Sequence, residues 1–238
     1  MRLNLEDLLR GNPYPGRGIL FGCSEDGKRT IIVYFIMGRS ENSRNRIFEK
    51  VNDGIRTAAY DPSKITDPSL IIYHPVRVFG SRTIVTNGDQ TDTICNHLSK
   101  GSDYLTALRT REFEPDAPNY TPRISGLVEP NGRYMLSIIK TSEGDQERCH
   151  RYFYEYSRAI PGLGHFVSTY ETDGDPLPSF VGEPISVSIN DSDGFDAYAI
   201  RIWDALNDVN KVSLYARERD ISTGEVNDLI INKHSQGV

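Results

Sequence analysis

Gly18-Ile-Leu-Phe-Gly22, Ser24-Glu-Asp-Gly-Lys28 and Thr30-Ile-Ile-Val-Tyr-Phe-Ile-Met37 are the stretch that decides the fold class. Two runs rich in β-branched and aromatic residues flank an Asp-Gly turn signal, and that combination specifies an antiparallel hairpin. Further strand candidates follow at residues 69–73, 76–79, 83–86, 124–128, 134–140, 164–169, 185–188 and 211–218, with Asn131-Gly132 marking a second tight turn. Helical patterns are fewer: a short amphipathic turn near residues 3–9, then 91–100 with Thr or Asp as cap, 102–111, and 193–206. In the last of these Phe195, Tyr198, Ala199, Ile202 and Trp203 form an i, i+3, i+4, i+7, i+8 stripe, which is the pattern of a helix packed on a sheet. Hairpins followed by a few helices predict an α+β domain with layered sheets.

At 238 residues, with no Pro/Gly/Ser-rich linker and no internal repeat, the chain is expected to form a single domain over 1–238. A net charge of −6 argues against a general nucleic-acid binder, because binding phosphate backbones requires a basic face. Cys23, Cys95 and Cys149 are widely spaced, lack a CxxC, and read as free thiols in a reducing cytoplasm. Acids and a proline interrupt the first eighteen residues where a signal peptide needs an apolar run, and no later run reaches membrane-spanning length, so a soluble cytoplasmic protein is expected. The five histidines show no metal-ligand spacing, and neither a metal nor another cofactor is expected. Phosphate-loop, dinucleotide and nucleophile-elbow motifs are missing as well.

Three polar segments at strand ends could carry chemistry. In Gly38-Arg-Ser-Glu-Asn-Ser-Arg-Asn-Arg46 the guanidinium groups of Arg39, Arg44 and Arg46 alternate with small polar residues such as Ser40, a composition suited equally to a phosphate site and to a solvated surface turn. Asn87-Gly-Asp-Gln-Thr-Asp-Thr93 joins a strand to a helix start, where amides and hydroxyls either cap the helix or grip an anion. Glu112 and Glu114 precede Tyr120-Thr-Pro-Arg-Ile124, so two acids stand near Arg123 as an acid/base pair or as a salt-bridged loop. Tyr73, beside His74-Pro75, reads either as a core aromatic or as a hydroxyl-bearing site residue.

GRSENSRNR, Tyr73, NGDQTDTI, the glutamates before TPRI, and Ser168-Thr-Tyr-Glu171 occur together in this order, and in this the chain resembles the archaeal-type IMP cyclohydrolase family, in particular its bacterial branch. The resemblance runs from about residue 17 to Glu171 and more loosely to Arg217. It implies a four-layer αββα sandwich like that of amino-terminal-nucleophile hydrolases, without autoprocessing, and ring closure of 5-formamidoimidazole-4-carboxamide ribonucleotide to inosine monophosphate. It also implies a homo-oligomer that binds a small purine-precursor nucleotide. Transferred residue by residue, it assigns catalysis to Arg44, Tyr73 and Glu114, with Glu112 as a rival base, and substrate binding to Arg39, Ser40, Arg46, Asn87, Asp92 and Arg123. Asp89-Gln90 stand where the archaeal pattern has Ser-His. Three other readings remain open at this point: a catalytically silent nucleotide sensor, a hydrolase acting on a related imidazole or purine nucleotide, and an amide hydrolase that uses Cys23 after cleavage at Gly22.

Overall fold

The computed structural model describes residues 2–64 and 72–234. In chain order the elements are β1 (Leu3–Asn4), α1 (Leu5–Arg10), β2 (Arg17–Cys23), β3 (Arg29–Met37), α2 (Glu41–Arg44), β4 (Arg46–Val51) and β5 (Gly54–Ala59). After a short 3-10 turn at Pro62–Lys64 come β6 (Val76–Phe79), β7 (Arg82–Thr86), α3 (Gln90–Ser99), α4 (Tyr104–Arg109), β8 (Arg123–Val128), β9 (Tyr134–Ser142) and β10 (Asp145–Tyr156). The chain ends through β11 (Leu163–Ser168), β12 (Ile185–Ser188), α5 (Phe195–Ala205), β13 (Lys211–Asp220) and β14 (Val226–Asn232). The strands form two seven-stranded sheets, one ordered β1-β12-β11-β2-β3-β13-β14 and the other β10-β9-β8-β7-β6-β5-β4. The protein is therefore mixed α+β, with two large sheets and few helices.

The expected hairpin lies at the centre of the first sheet, where β2 and β3 pair from Arg17↔Ile36 to Cys23↔Thr30. Its turn closes through the Ser24 N–H donating to the Arg29 carbonyl at 2.9 Å, with Gly27 at φ +75°. The side chains of both strands alternate between two cores, which explains a run that is apolar at every position. Leu20, Ile31, Val33, Phe35 and Met37 pack against α1 and α5. Ile19, Phe21, Ile32, Tyr34 and Ile36 enter a second core shared with Phe48, Val85, Ile124 and Leu136 of the other sheet. On the far side of that sheet, Ile84, Leu127 and Ile139 meet Ile94 of α3 and Leu108 of α4.

Five strands among the described residues lie outside the expected set, and their positions explain why. β1, β10, β4 and β14 are edge strands, and β5 is the neighbour of one. Half-solvated edges need no continuous apolar run, and β10, DQERCHRYFYEY, has hardly one buried side chain. The strand expected at residues 69–73 lies largely outside the described residues, and Ile72 and Tyr73 belong to no strand. α1, α3, α4 and α5 match expectation to within one or two residues at each end, whereas α2 is a single helical turn in a segment read as a loop. The start of α3 differs chemically: Asp89 is its N-cap residue but makes no side-chain capping bond, because its carboxylate is engaged elsewhere. Among the described residues no helix is long and apolar enough to cross a membrane.

The inter-sheet core is close-packed around Gly126 of β8, where an added Cβ would run into the Phe21 ring. Overpacking of this kind typically costs about 1–3 kcal/mol, so Gly126→Ala should lower the urea midpoint accordingly. An unchanged midpoint would mean that the two sheets can separate to accommodate a methyl group.

Candidate functional site

Strand alternation places two cations at one end of the gap between the sheets. In β2, Ile19 and Phe21 point into the inter-sheet core, and Arg17 precedes them on the same face; in β4, Arg46 stands likewise before Phe48. Arg46 is fully buried, its Nε donating to the Ser43 carbonyl at 2.8 Å and its Nη2 to the Met37 carbonyl at 3.2 Å. Arg46 Nη1 and Arg17 Nε are buried and find no acceptor among the described residues. Burial, and then the like charge of Arg17, hold Arg46 below the ordinary arginine range. Burial also opposes the Arg17 charge, but Glu114, with Tyr170, Tyr73 and Tyr14, outweighs it and raises Arg17 well above its ordinary value.

Acid/base groups converge on these cations. The Tyr73 hydroxyl lies 3.0 Å from that of Tyr34, which β3 directs into the same gap. Tyr73 is fixed through its backbone, its N–H donating to Thr57 Oγ1 at 2.8 Å and its carbonyl accepting from the Thr57 N–H at 2.9 Å. Glu114 is 3 % exposed, and its N–H donates to the Thr121 carbonyl at 2.9 Å. Burial is the main cause that raises its carboxyl to about 7, with Arg17 and Arg123 opposing, Asp116 adding to the rise, and Arg46 opposing more weakly. Thr121 also meets the Tyr170 hydroxyl at 2.6 Å, and Tyr170 stacks on Tyr14 with centroids 5.9 Å apart. At the rim, the Arg39 guanidinium lies 5.3 Å over the Tyr14 ring and pairs with Asp173 at 2.6 Å.

The Asn-Gly-Asp segment organises the other flank. Asn87 is fully buried and bonded at both ends of its amide: its Nδ2 donates to the Pro122 carbonyl, and its Oδ1 accepts from the Ile124 N–H and from Gln90 Nε2. It locks the end of β7 to the start of β8. Arg123 donates to the Glu112 carbonyl, to Asp89 Oδ1 at 2.8 Å and to Gln90 Oε1 at 2.7 Å, and Asp89 also binds Arg111. Gly88 makes this convergence possible, since a Cβ there would sit 2.7 Å from Arg123 Nη1 and 3.3 Å from Glu114 Oε1.

Of the residues singled out from sequence, Tyr73, Glu114, Arg46 and Arg123 are thus brought together, Arg39 stands at the rim, and Asn87 supports the arrangement. Arg44 points elsewhere, with its Nε on the Gly38 carbonyl and its Nη2 on Asn210. Its position at the end of α2 turns it away, and Arg46 occupies the gap instead. Ser40 is the N-cap of α2 in a reciprocal capping box with Ser43, which consumes its hydroxyl. Asp92 pairs with Arg77 at 2.9 Å in a separate ion group with Asp53. Glu112 is exposed, and only its carbonyl serves the cluster. Cys23 is buried at the end of β2, where burial raises its thiol, the reverse of an activated nucleophile. Sequence reading missed Arg17, Tyr14, Tyr34 and Tyr170. The available signal was the Gly16-Arg17-Gly18 triplet: Gly16 has φ +78° and is pressed against Tyr170, and Gly18 is pressed against Phe35.

Two guanidinium groups with buried, unpartnered donors, a carboxyl poised near neutrality and a hydrogen-bonded phenol pair thus stand together, a set with the chemistry to hold an anion and to transfer protons. The family described as "IMP cyclohydrolase-like protein" matches residues 14–225, and the chain belongs to that family. It is 33% identical over 184 residues to the IMP cyclohydrolase of Methanopyrus kandleri, covering 70% of this chain and 89% of that one. It is 26% identical over 165 residues to that of Methanococcus aeolicus, covering 66% and 74%. For the Methanothrix thermoacetophila protein of the same name the identity is 29% over 177 residues, covering 73% and 82%.

Because folding raises the Glu114 carboxyl from 4.5 to about 7, the folded state holds its proton more tightly than the unfolded state. Its contribution is fully present below pH 4.5 and is lost as pH rises through about 7. Denaturation of the wild type and of Glu114→Gln across that window should show the wild type losing about 3 kcal/mol relative to the variant. Parallel pH profiles would mean that Glu114 titrates normally.

Proposed function

We propose that this chain is an IMP cyclohydrolase, a hydrolase of the class acting on C–N bonds in cyclic amidines, which closes 5-formamidoimidazole-4-carboxamide ribonucleotide to inosine monophosphate with loss of water. The observation that carries the proposal is Glu114, a buried carboxyl with a pKa of about 7 set among Arg17, Arg46 and Arg123. Family membership and three archaeal relatives bearing the name support it.

Ring closure joins two groups of one molecule, so holding them face to face supplies much of the acceleration. The carboxamide nitrogen attacks the formyl carbon, and the pair of electrons of the C=O bond moves to oxygen. Arg46 Nη1 is a free donor for that oxyanion or for the substrate phosphate, and Arg17 is its partner. Glu114, ionised in about half the molecules near neutral pH, takes the proton from nitrogen. Tyr73, coupled to Tyr34, donates to the oxygen; Glu114 then returns its proton to that hydroxyl, which leaves as water while the former formamido nitrogen gives its hydrogen to the Tyr73 phenolate and forms the ring C=N bond. Arg123, fixed by Asp89 and Gln90, sets the field around the base. In this reading the catalytic arginine is Arg46, and Arg44 secures the loop.

The rest of the reading follows from the family. The packing of α1 and α5 on one sheet, and of α3 and α4 on the other, fits a four-layer αββα sandwich akin to amino-terminal-nucleophile hydrolases, used without autoprocessing. The chain would act as one domain over 1–238, in the cytoplasm, as a homo-oligomer whose partner is a small nucleotide.

Ultraviolet monitoring of the formamido nucleotide with purified protein should show inosine monophosphate forming. Binding without conversion would make the chain a nucleotide sensor. Tyr73→Phe and Glu114→Gln should keep binding and lose roughly 10²–10⁴ in turnover, as general acid–base groups do. Arg46→Ala should abolish binding whereas Arg44→Ala keeps it; the opposite pattern in calorimetry would return the role to Arg44.

A further inference from the structure

The alternation that sends Arg17 and Arg46 into one end of the inter-sheet gap places a second set of cations at the other end. In β13, Tyr215 belongs to the inter-sheet core, and Arg217 and Arg219 follow it on the same face. In β4, Lys50 follows Phe48 in the same way, and Thr83 of β7 shares a face with Val85. A cavity of about 360 Å³ opens here, lined by Lys50, Thr83, Arg217, Arg219, Gly224 and Asp228 among others. It is separate from the site above. Arg46 and Lys50 are four residues apart on one strand, as are Ile36, which pairs with Arg17, and Ile32, which pairs with Arg217; each interval spans roughly 13 Å.

The charges in this cavity do not balance. Arg217 is bound bidentately to Asp228, with Nε at 2.7 Å from one oxygen and Nη2 at 3.0 Å from the other. Lys50 Nζ lies 3.9 Å from the same carboxylate, and the Tyr215 hydroxyl donates to it at 2.8 Å. One carboxylate thus answers two cations, Arg217 and Lys50, while Arg219 is bonded only to backbone carbonyls. Arg219 donates from Nη1 to the Pro130 carbonyl at 2.9 Å and lays Nη2 beside Gly224, where a Cβ would come within 2.9 Å of it. Gly54, Gly80 and Gly224 all line the cavity at positive φ: Gly54 is packed on the Val76 carbonyl, Gly224 lies against Arg219, and Gly80, with nothing within 4 Å of where a Cβ would be, leaves its backbone approachable. An excess of cations over carboxylates, a glycine turn and a volume at the lower end of the small-molecule range suit a compact phosphate group.

We infer that this cavity is a second anion site, built from both sheets and distinct from the Arg17–Arg46 site, that takes a small phosphorylated ligand. The ligand would bridge β13 on one sheet to β4 and the β6–β7 turn on the other, so its occupancy ties the sheets together at the end remote from the first site.

Pyrophosphate is the probe. Titrated into the isotopically labelled full chain, it should move the amide resonances of Gly54, Gly80 and Gly224 saturably, and it should still do so in Arg46→Gln, where the first anion site is disabled. Arg219→Gln combined with Lys50→Gln, which leaves the Arg217–Asp228 pair in place, should weaken that response roughly tenfold or more, as loss of charge-assisted bonds does. The double variant should keep the turnover of the wild type. The inference is overturned if the three glycines stay still, if their shifts vanish in Arg46→Gln, or if the double variant binds as tightly as the wild type.

Discussion

Burial of two like-charged guanidinium groups at one mouth of an apolar gap is the constraint on which the rest of this molecule depends. A buried charge without a partner is expensive, and two of the same sign are worse. Arg17 and Arg46 are tolerated because carbonyls of Ser43 and Met37 hold one of them and because Glu114 and a group of phenols surround the pair. That compensation is incomplete, since each arginine keeps a donor without an acceptor among the described residues. Under the proposed function an anionic substrate supplies the missing acceptors, and its binding stabilises the fold.

The neutral-range carboxyl follows from this constraint. Burial alone would push Glu114 further up, and cations alone would pull it down; the value near 7 arises because both act together. Arg123 belongs to the balance, but its own charge is shared with Asp89, which is why Asp89 does not cap α3. The helix start gives up a capping bond so that the flank of the site is ordered. Gly88 has a similar part: it is needed less for its backbone freedom than because any side chain would push Arg123 away from Glu114.

How much of this was legible in the sequence depended on periodicity and on chain distance. The β2–β3 hairpin, the central strands and α5 were readable because each repeats one pattern over many residues. β4, β10 and β14 were not, because an edge strand borrows its order from a neighbour that sequence does not identify. In the site, Tyr73, Glu114, Arg46 and Arg123 were visible as motif residues. Arg17 was hidden because a single residue at a strand end gains its neighbours only through sheet register, as when it meets Ile36, and Tyr34 was hidden inside an apolar strand run that reads as core. Choosing between Arg44 and Arg46 required knowing that a one-turn helix ends between them and rotates the first away.

Arg39 at the rim differs in kind from the arginines inside. It is held by a partly exposed ion pair with Asp173 and by the face of Tyr14, whose ring continues the stack to Tyr170. Dissolved salt screens such a surface pair and hardly reaches the buried one. Ionic strength should therefore act on this protein as a control of entry: raising it loosens the doorway and slows capture of a charged ligand, while the reactivity of a molecule already inside stays the same.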